Sequence, residues 1–352
     1  MLFSIKNECY MNLDIENKLI PIRESVLKIR SFNDCIKDGS NQPILEYIVD
    51  NLIEPGIGLL LGKSNVGKSI CAVQIGNNIS SGTKVFELLS TTKNRVMIID
   101  CEMTDRQIAN RYQYSDGDFY QFSNDFYRSK LNVNILEKNF LQKLIDSIKE
   151  SIFSYDIKFL IIDNLMSIIY DLNKPSLVLD FFVNIKRLQE DTFISILLIG
   201  HPRKGIELSE KMDLEDVYGS SYIGNFLDYA IGLRKSKLNS SEILLKLLKT
   251  RMDVNNFNED NIIVLSLGNK MGIPVFEFNR YDTEVNHLKS NSSINMNTDE
   301  KMVSEFDIIN NCKLLKLPNT TIAQIIGVNE KTIRNRIKLM EFNDIQNPNS
   351  SD

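Results

Sequence analysis

Residues Gly62 to Ser69 read Gly-Lys-Ser-Asn-Val-Gly-Lys-Ser, and no other stretch restricts the chain as sharply. The spacing G-x-x-x-x-G-K-[ST] is that of a phosphate-binding loop. Gly62 and Gly67 let the backbone close into a nest of N–H groups, and the next helix aims its N-terminus at the same anion. Lys68 is expected to reach the β- and γ-phosphates, and the Ser69 hydroxyl to bind Mg²⁺. Gly62, Lys63, Ser64, Asn65, Val66, Gly67, Lys68 and Ser69, with Ile70 opening the helix, are therefore the predicted contacts for ATP. The flanks agree with this reading. Ile57-Gly58-Leu59-Leu60-Leu61 is apolar enough for a buried parallel strand, and an apolar helical face follows until Ser80-Ser81-Gly82.

Three more apolar runs predict parallel strands. Arg95 to Asp100 leads into Cys101-Glu102-Met103-Thr104, which sets Glu102 at a strand's carboxyl end. Catalytic side chains gather there in open α/β sheets. Two readings of Glu102 stand: a general base that prepares water, or a charge at the start of the next helix. Lys158 to Asn164 is four apolar residues closed by Asp163, the pattern of a carboxylate that holds Mg²⁺. Thr192 to Gly200 runs into His201-Pro202-Arg203-Lys204-Gly205. His201 is read either as a sensor of the γ-phosphate or as a structural histidine. Arg203 and Lys204 open a polar loop over 202–217 able to track a nucleic-acid backbone, although the loop carries five acids of its own. Further runs cover 228–233 and 243–248, and the second ends in Lys249-Thr250-Arg251. Lys249 and Arg251, two apart on a strand, share a face, as active cations or as solvated charges. A hairpin over 262–278 is expected to close the domain.

A net charge of −5 assigns any nucleic-acid surface to a local patch rather than to the whole chain. Five scattered cysteines and two histidines argue against zinc and for a reduced, cytoplasmic setting. No apolar run approaches the ~18 residues of a membrane helix, and the N-terminus is unlike a signal peptide. Residues 1–40 are expected to be an arm, with an amphipathic helix over 20–29 lying on its own domain or gripping a neighbour. The main domain is predicted over 41–283, a linker over 284–300, a helix-turn-helix unit over 301–343 and a disordered tail over 344–352. In that unit a helix runs from about Met302 to Leu315. Ala323 permits a close crossing, Gly327 makes the turn, and Asn329 caps a basic second helix. Lys331, Thr332, Asn335 and Arg336 would then face duplex DNA; a protein-interaction module is the other reading.

Together these stretches resemble the RecA-like P-loop ATPases, in particular the RepA-like and DnaB-like hexameric helicases, over about residues 40–282. The loop at 62–69 carries the resemblance with Asp100-Cys101-Glu102-Met103-Thr104 and Arg111, Ile199 to Gly205 with Gly219-Ser220-Ser221, and Leu248-Lys249-Thr250-Arg251. It implies an α/β fold, a RecA-like core with a mostly parallel sheet, to which a small all-α domain is appended. It further implies Glu102 as catalytic base, Arg111 as a nucleotide contact, His201 as sensor, and Lys249 and Arg251 as a finger serving a neighbour's ATP. The implied activity is that of an ATP-driven DNA helicase or replication ATPase. The implied partners are single-stranded DNA in a hexameric ring and duplex DNA at the tail. The alternatives are an ATP-switched DNA-binding regulator and a recombination ATPase. The chain departs from the family in having no primase or zinc module and no large helical N-terminal domain.

Overall fold

The computed structural model describes residues 29–41, 46–131, 139–203, 211–219, 222–252 and 256–288, and within the tail 309, 312–313, 317–326, 330, 333–334 and 337. Nine strands form one sheet: β1 (Ile57–Gly62), β2 (Val96–Asp100), β3 (Phe126–Ser129), β4 (Phe159–Asp163), β5 (Ser195–Gly200), β6 (Tyr229–Lys235), β7 (Glu242–Lys249), β8 (Ile262–Lys270) and β9 (Ile273–Asp282). Their order is β3-β2-β4-β5-β1-β6-β7-β8-β9. From β3 to β6 every pairing is parallel, and from β6 to β9 every pairing is antiparallel.

The unbroken apolar runs have a direct cause. Helix α2 (Lys68–Ser81) covers one face of the sheet, and α4 (Phe140–Tyr155) and α5 (Pro175–Thr192) cover the other. Along β4, Phe159 and Ile161 point to the α2 side while Leu160 and Ile162 point to the α4 side, so both sets must be apolar. The antiparallel strands add Leu245, Ile263, Leu265 and Phe276 to the α2 side. The expected hairpin is present, with a tight β8–β9 turn. Both strands extend until only Met271 and Gly272 remain between them, with φ of 56° and 101°.

Several elements depart from expectation. β3, an edge strand of four half-buried residues, and α5 have no counterpart among the expected elements. The arm helix expected over 20–29 lies outside the described residues except for Ile29, which is exposed and not helical. A helix α1 (Phe32–Ser40), capped by Ser31, follows and buries none of its residues.

The boundary at 283 falls too early. Residues Glu284–His287 form a 3-10 turn in which Glu284 and His287 are buried. Glu284 takes hydrogen bonds from Arg234 of β6 (2.9 Å), Lys246 of β7 (2.8 Å) and the Met212 amide (2.6 Å). The domain therefore runs to about 288. In the tail, Ile309, Cys312, Ile322, Ala323, Ile333 and Ile337 form a small core around the helix Asn319–Ile326, with Leu317 against it. Lys331, Thr332, Asn335 and Arg336 lie outside the described residues, and Arg334 pairs with Glu330.

Removing one member of a buried ion cluster leaves the buried charges that faced it without their main counter-charge. Glu284→Ala is expected to lower unfolding free energy by about 3–5 kcal/mol, measured by denaturant titration.

Candidate active site

The strand order brings the chemistry to one edge. β5 lies between β1 and β4, with Leu61 beside Gly200 and Ile162 beside Leu198, and β2 continues the row with Asp100 beside Asp163. The carboxyl ends of β1, β5, β4 and β2 thus deliver the phosphate loop, His201, Asp163 and Glu102 to a shared edge.

In the loop, Lys63, Ser64 and Asn65 are exposed while Val66 inserts into the core. Gly67 has φ +95°, and a Cβ there would lie 2.7 Å from the Phe276 ring of β9. Only glycine fits both the conformation and the roof above it. Lys68 is buried, and its Nζ donates to the Lys63 carbonyl (3.0 Å) and lies 3.4 Å from His201 Nδ1. Burial pulls the Lys68 pKa down, against the opposing pull of Asp163 and Glu102. An ammonium taken out of water in this way is matched to an anionic ligand.

Asp163 is pushed up to about 6, first by burial and then by the neighbouring Glu102 and Asp100; a hydrogen bond from Ser69 and the charge of Lys68 act the other way. Among the described residues no group of three or more acidic, histidine or cysteine side chains is placed to hold a metal by itself. The oxygens of Ser69 and Asp163 fit Mg²⁺, which takes few protein ligands and completes its shell with phosphate and water.

Glu102 accepts a hydrogen bond from the Asn164 amide, one residue past Asp163. Its turn is built on Asp100, whose Oδ1 accepts the backbone N–H groups of Glu102 (3.0 Å) and Met103 (2.9 Å). Arg128 of β3 closes the other side of Asp100, with Nε at 2.9 Å from Oδ2, and also binds the Met103 carbonyl and Asp105. Thr104 then starts α3 (Asp105–Arg111) with a capping box to Gln107. Asp100, Arg128 and Asn164 are site residues that sequence reasoning missed. One signal was present: β2, like β4, is an apolar run that closes on Asp.

His201 is held below its ordinary pKa, chiefly by burial and then by Lys68, so the ring is neutral near pH 7. Lysine only donates, so a hydrogen bond from it makes Nδ1 the acceptor and leaves the proton on Nε2. A cleft of about 640 Å³ opens beside the ring, between Lys63, Ser64, Met166, Arg203 and Tyr218. The polar loop leaves from this point and returns to it: the Tyr218 N–H donates to the His201 carbonyl (2.8 Å) and the Arg203 N–H to Asp216 (2.7 Å). The Arg203 side chain is exposed, and Lys204 lies outside the described residues.

A second cleft, of about 150 Å³, begins at Ile70 and follows α2 past Gln74 and Asn77 beneath Tyr112, Phe122 and Phe276. Its aromatic walls suit a purine base. Arg111 stands beside the Tyr112 hydroxyl on this side.

Lys249 and Arg251 are not part of the cluster. β7 runs antiparallel to β6, and Lys249 sits opposite Ala230, which itself pairs with Leu59 near the start of β1. The pair therefore occupies the amino edge of the sheet, remote from its own loop, with Lys249 Nζ on the Gly224 carbonyl (2.8 Å) and Arg251 on Asp228 (2.9 Å).

A family model described as AAA domain matches residues 23–207, more than half of the chain. The chain belongs to the AAA-domain family. No curated protein matches it. As a member of the AAA-domain family it is a P-loop ATPase that binds and hydrolyses nucleotide. The matched range holds the loop, Glu102, Asp163 and His201 and stops before β6, so the Lys249–Arg251 segment lies beyond it. No helix among the described residues of the AAA-domain protein is long and apolar enough to cross a membrane.

A metal held by Asp163 competes with the proton. Mg²⁺ affinity of the nucleotide-free protein is expected to be flat above about pH 6, where Asp163 is ionised, and to fall below it by about tenfold per pH unit. Metal titration over pH 5–8 checks this, and Asp163→Asn should remove both the tight binding and its pH dependence.

Proposed function

We propose that this AAA-domain ATPase is a ring-forming DNA motor of the RepA-like helicase branch, active in replication, with a tail that directs it to duplex DNA. The observation that carries the reading is the separation of Arg251 from its own phosphate loop. A cation preset at the opposite edge of the sheet cannot serve the nucleotide of its own chain. In a closed ring of copies, that edge of one subunit faces the loop of the next.

The division of labour follows from the site. Lys68 and the loop amides bind the β- and γ-phosphate oxygens. Mg²⁺, when bound at Ser69 and Asp163, offsets charge between those phosphates. Glu102 orients water in line with the γ-phosphorus and takes its proton, while Asn164 fixes the carboxylate. Arg251 of the partner subunit offsets charge that develops at the leaving oxygens. His201, neutral and with Nε2–H toward the cleft, loses its acceptor when the γ-phosphate departs. Arg203 begins two residues later, so the polar excursion that would grip single-stranded DNA starts at the sensor itself.

ATP hydrolysis is expected to rise when single-stranded DNA is added; equal rates with and without DNA would overturn the motor reading. Glu102→Gln should lower kcat by about 10²–10⁴ while fluorescent nucleotide still binds. Mixing Lys68→Ala subunits with Arg251→Ala subunits should restore part of the activity that each lacks alone, since some interfaces then combine an intact loop with an intact finger. Assembly with ATP but no strand displacement on a forked duplex would favour the nucleotide-switched regulator.

A further inference from the structure

Two carboxylates at the amino edge have no role in the site described above. Glu54 is 1% exposed and Asp228 is 8% exposed. Burial of this depth is costly for a carboxylate unless its oxygens are used, and here both converge on Arg251. Glu54 accepts the backbone N–H of Arg251 (2.9 Å) and of Met252 (2.8 Å) and the Thr250 hydroxyl (3.1 Å). Asp228 Oδ1 takes Arg251 Nη1 at 2.9 Å, and its Oδ2 accepts the Ile57 N–H at 2.8 Å. Gly56 admits this carboxylate: at φ +124°, a Cβ there would lie 2.3 Å from Asp228 Oδ2. Backbone and guanidinium of Arg251 are thus held separately, one by each acid.

We infer that Asp228 and Glu54 are positioning residues for Arg251, holding its backbone and guanidinium at the amino edge so that it meets a partner's nucleotide already oriented. The inference rests on the reading of Arg251 as a finger acting between subunits. Arginine has five N–H donors, and the Asp228 pairing anchors the fork at Nη1, which restricts where the remaining donors can lie. A side chain rich in rotamers is thereby ordered before the encounter. The side chain is nevertheless 54% exposed, as a group that must touch another subunit has to be.

Asp228→Asn separates the two duties of that residue. The amide oxygen still accepts from Ile57, whereas the negative charge facing Arg251 is gone. In the full chain, with ATP, Mg²⁺ and single-stranded DNA, kcat is expected to fall about ten- to a hundredfold with KM for ATP unchanged. The deciding comparison is the double variant. If Asp228 acts through Arg251, Asp228→Asn adds no further loss to Arg251→Ala. Losses that multiply in the double variant would overturn the inference and leave Asp228 a part of the fold alone. If Asp228→Asn melts below the assay temperature, Thr250→Val weakens the same clamp without altering a buried charge. It is expected to lower kcat a few-fold in the native background and not at all beside Arg251→Ala; multiplying losses would again overturn the inference. An Arg251→Ala protein with native kcat would remove the finger reading itself, and this inference with it.

Discussion

Two aspartates stand side by side at the ends of neighbouring parallel strands, and the site depends on how that crowding is resolved. Asp100 and Asp163 are register partners, with Glu102 close to both. Three carboxylates at one edge repel one another unless each finds a different partner. Asp100 is satisfied internally, by two backbone N–H groups and Arg128. Glu102 is tied to Asn164. Asp163, with Ser69 and Lys68 beside it, keeps the raised proton affinity that burial first, and then Glu102 and Asp100, impose. The acid with a structural duty, the acid proposed as base and the acid proposed as metal ligand are the same chemical group in three settings.

Much of the core was legible because it is buried on both faces. The runs at 57–61, 95–100, 158–164 and 192–200 stand out as apolar because helices cover both sides of each strand they contain. The phosphate loop was legible for a different reason, since its constraint is local: glycine, lysine and serine at fixed spacing. β3 was not, because an edge strand of four half-buried residues within a stretch rich in Tyr, Phe, Asn and Asp carries neither a continuous apolar run nor alternation. Arg128 was lost with it, although its guanidinium sets the turn that carries Glu102. The domain end near 288 was hidden because polar residues usually mark linkers, whereas Glu284 is polar and buried, matched by cations from β6 and β7. Glu54 and Asp228 could not be paired with Arg251 from spacing at all, since only the folded sheet brings them together.

The sheet separates what binds nucleotide from what would act on it. Parallel strands place the loop, His201 and the acids at one edge, and the antiparallel return of β7 carries Lys249 and Arg251 to the other. Within a single chain these edges cannot cooperate. On the proposed reading of Arg251 as a finger, this separation is what calls for a second copy.

Gln74 of α2 donates to the Phe276 carbonyl and accepts from the Phe276 N–H, both at 2.8 Å. The helix that begins at Lys68 and the hairpin that roofs the loop are stitched at one residue and would travel as a rigid jaw. The opposite lip, where His201 opens the polar excursion, is fastened differently: at its base by the Tyr218 N–H on the His201 carbonyl, and at Met212, whose amide donates to Glu284 and whose carbonyl accepts from Lys246 of β7. On the proposed motor reading, loss of a phosphate would reach these two lips through different fastenings, Gln74 on one side and Met212 on the other.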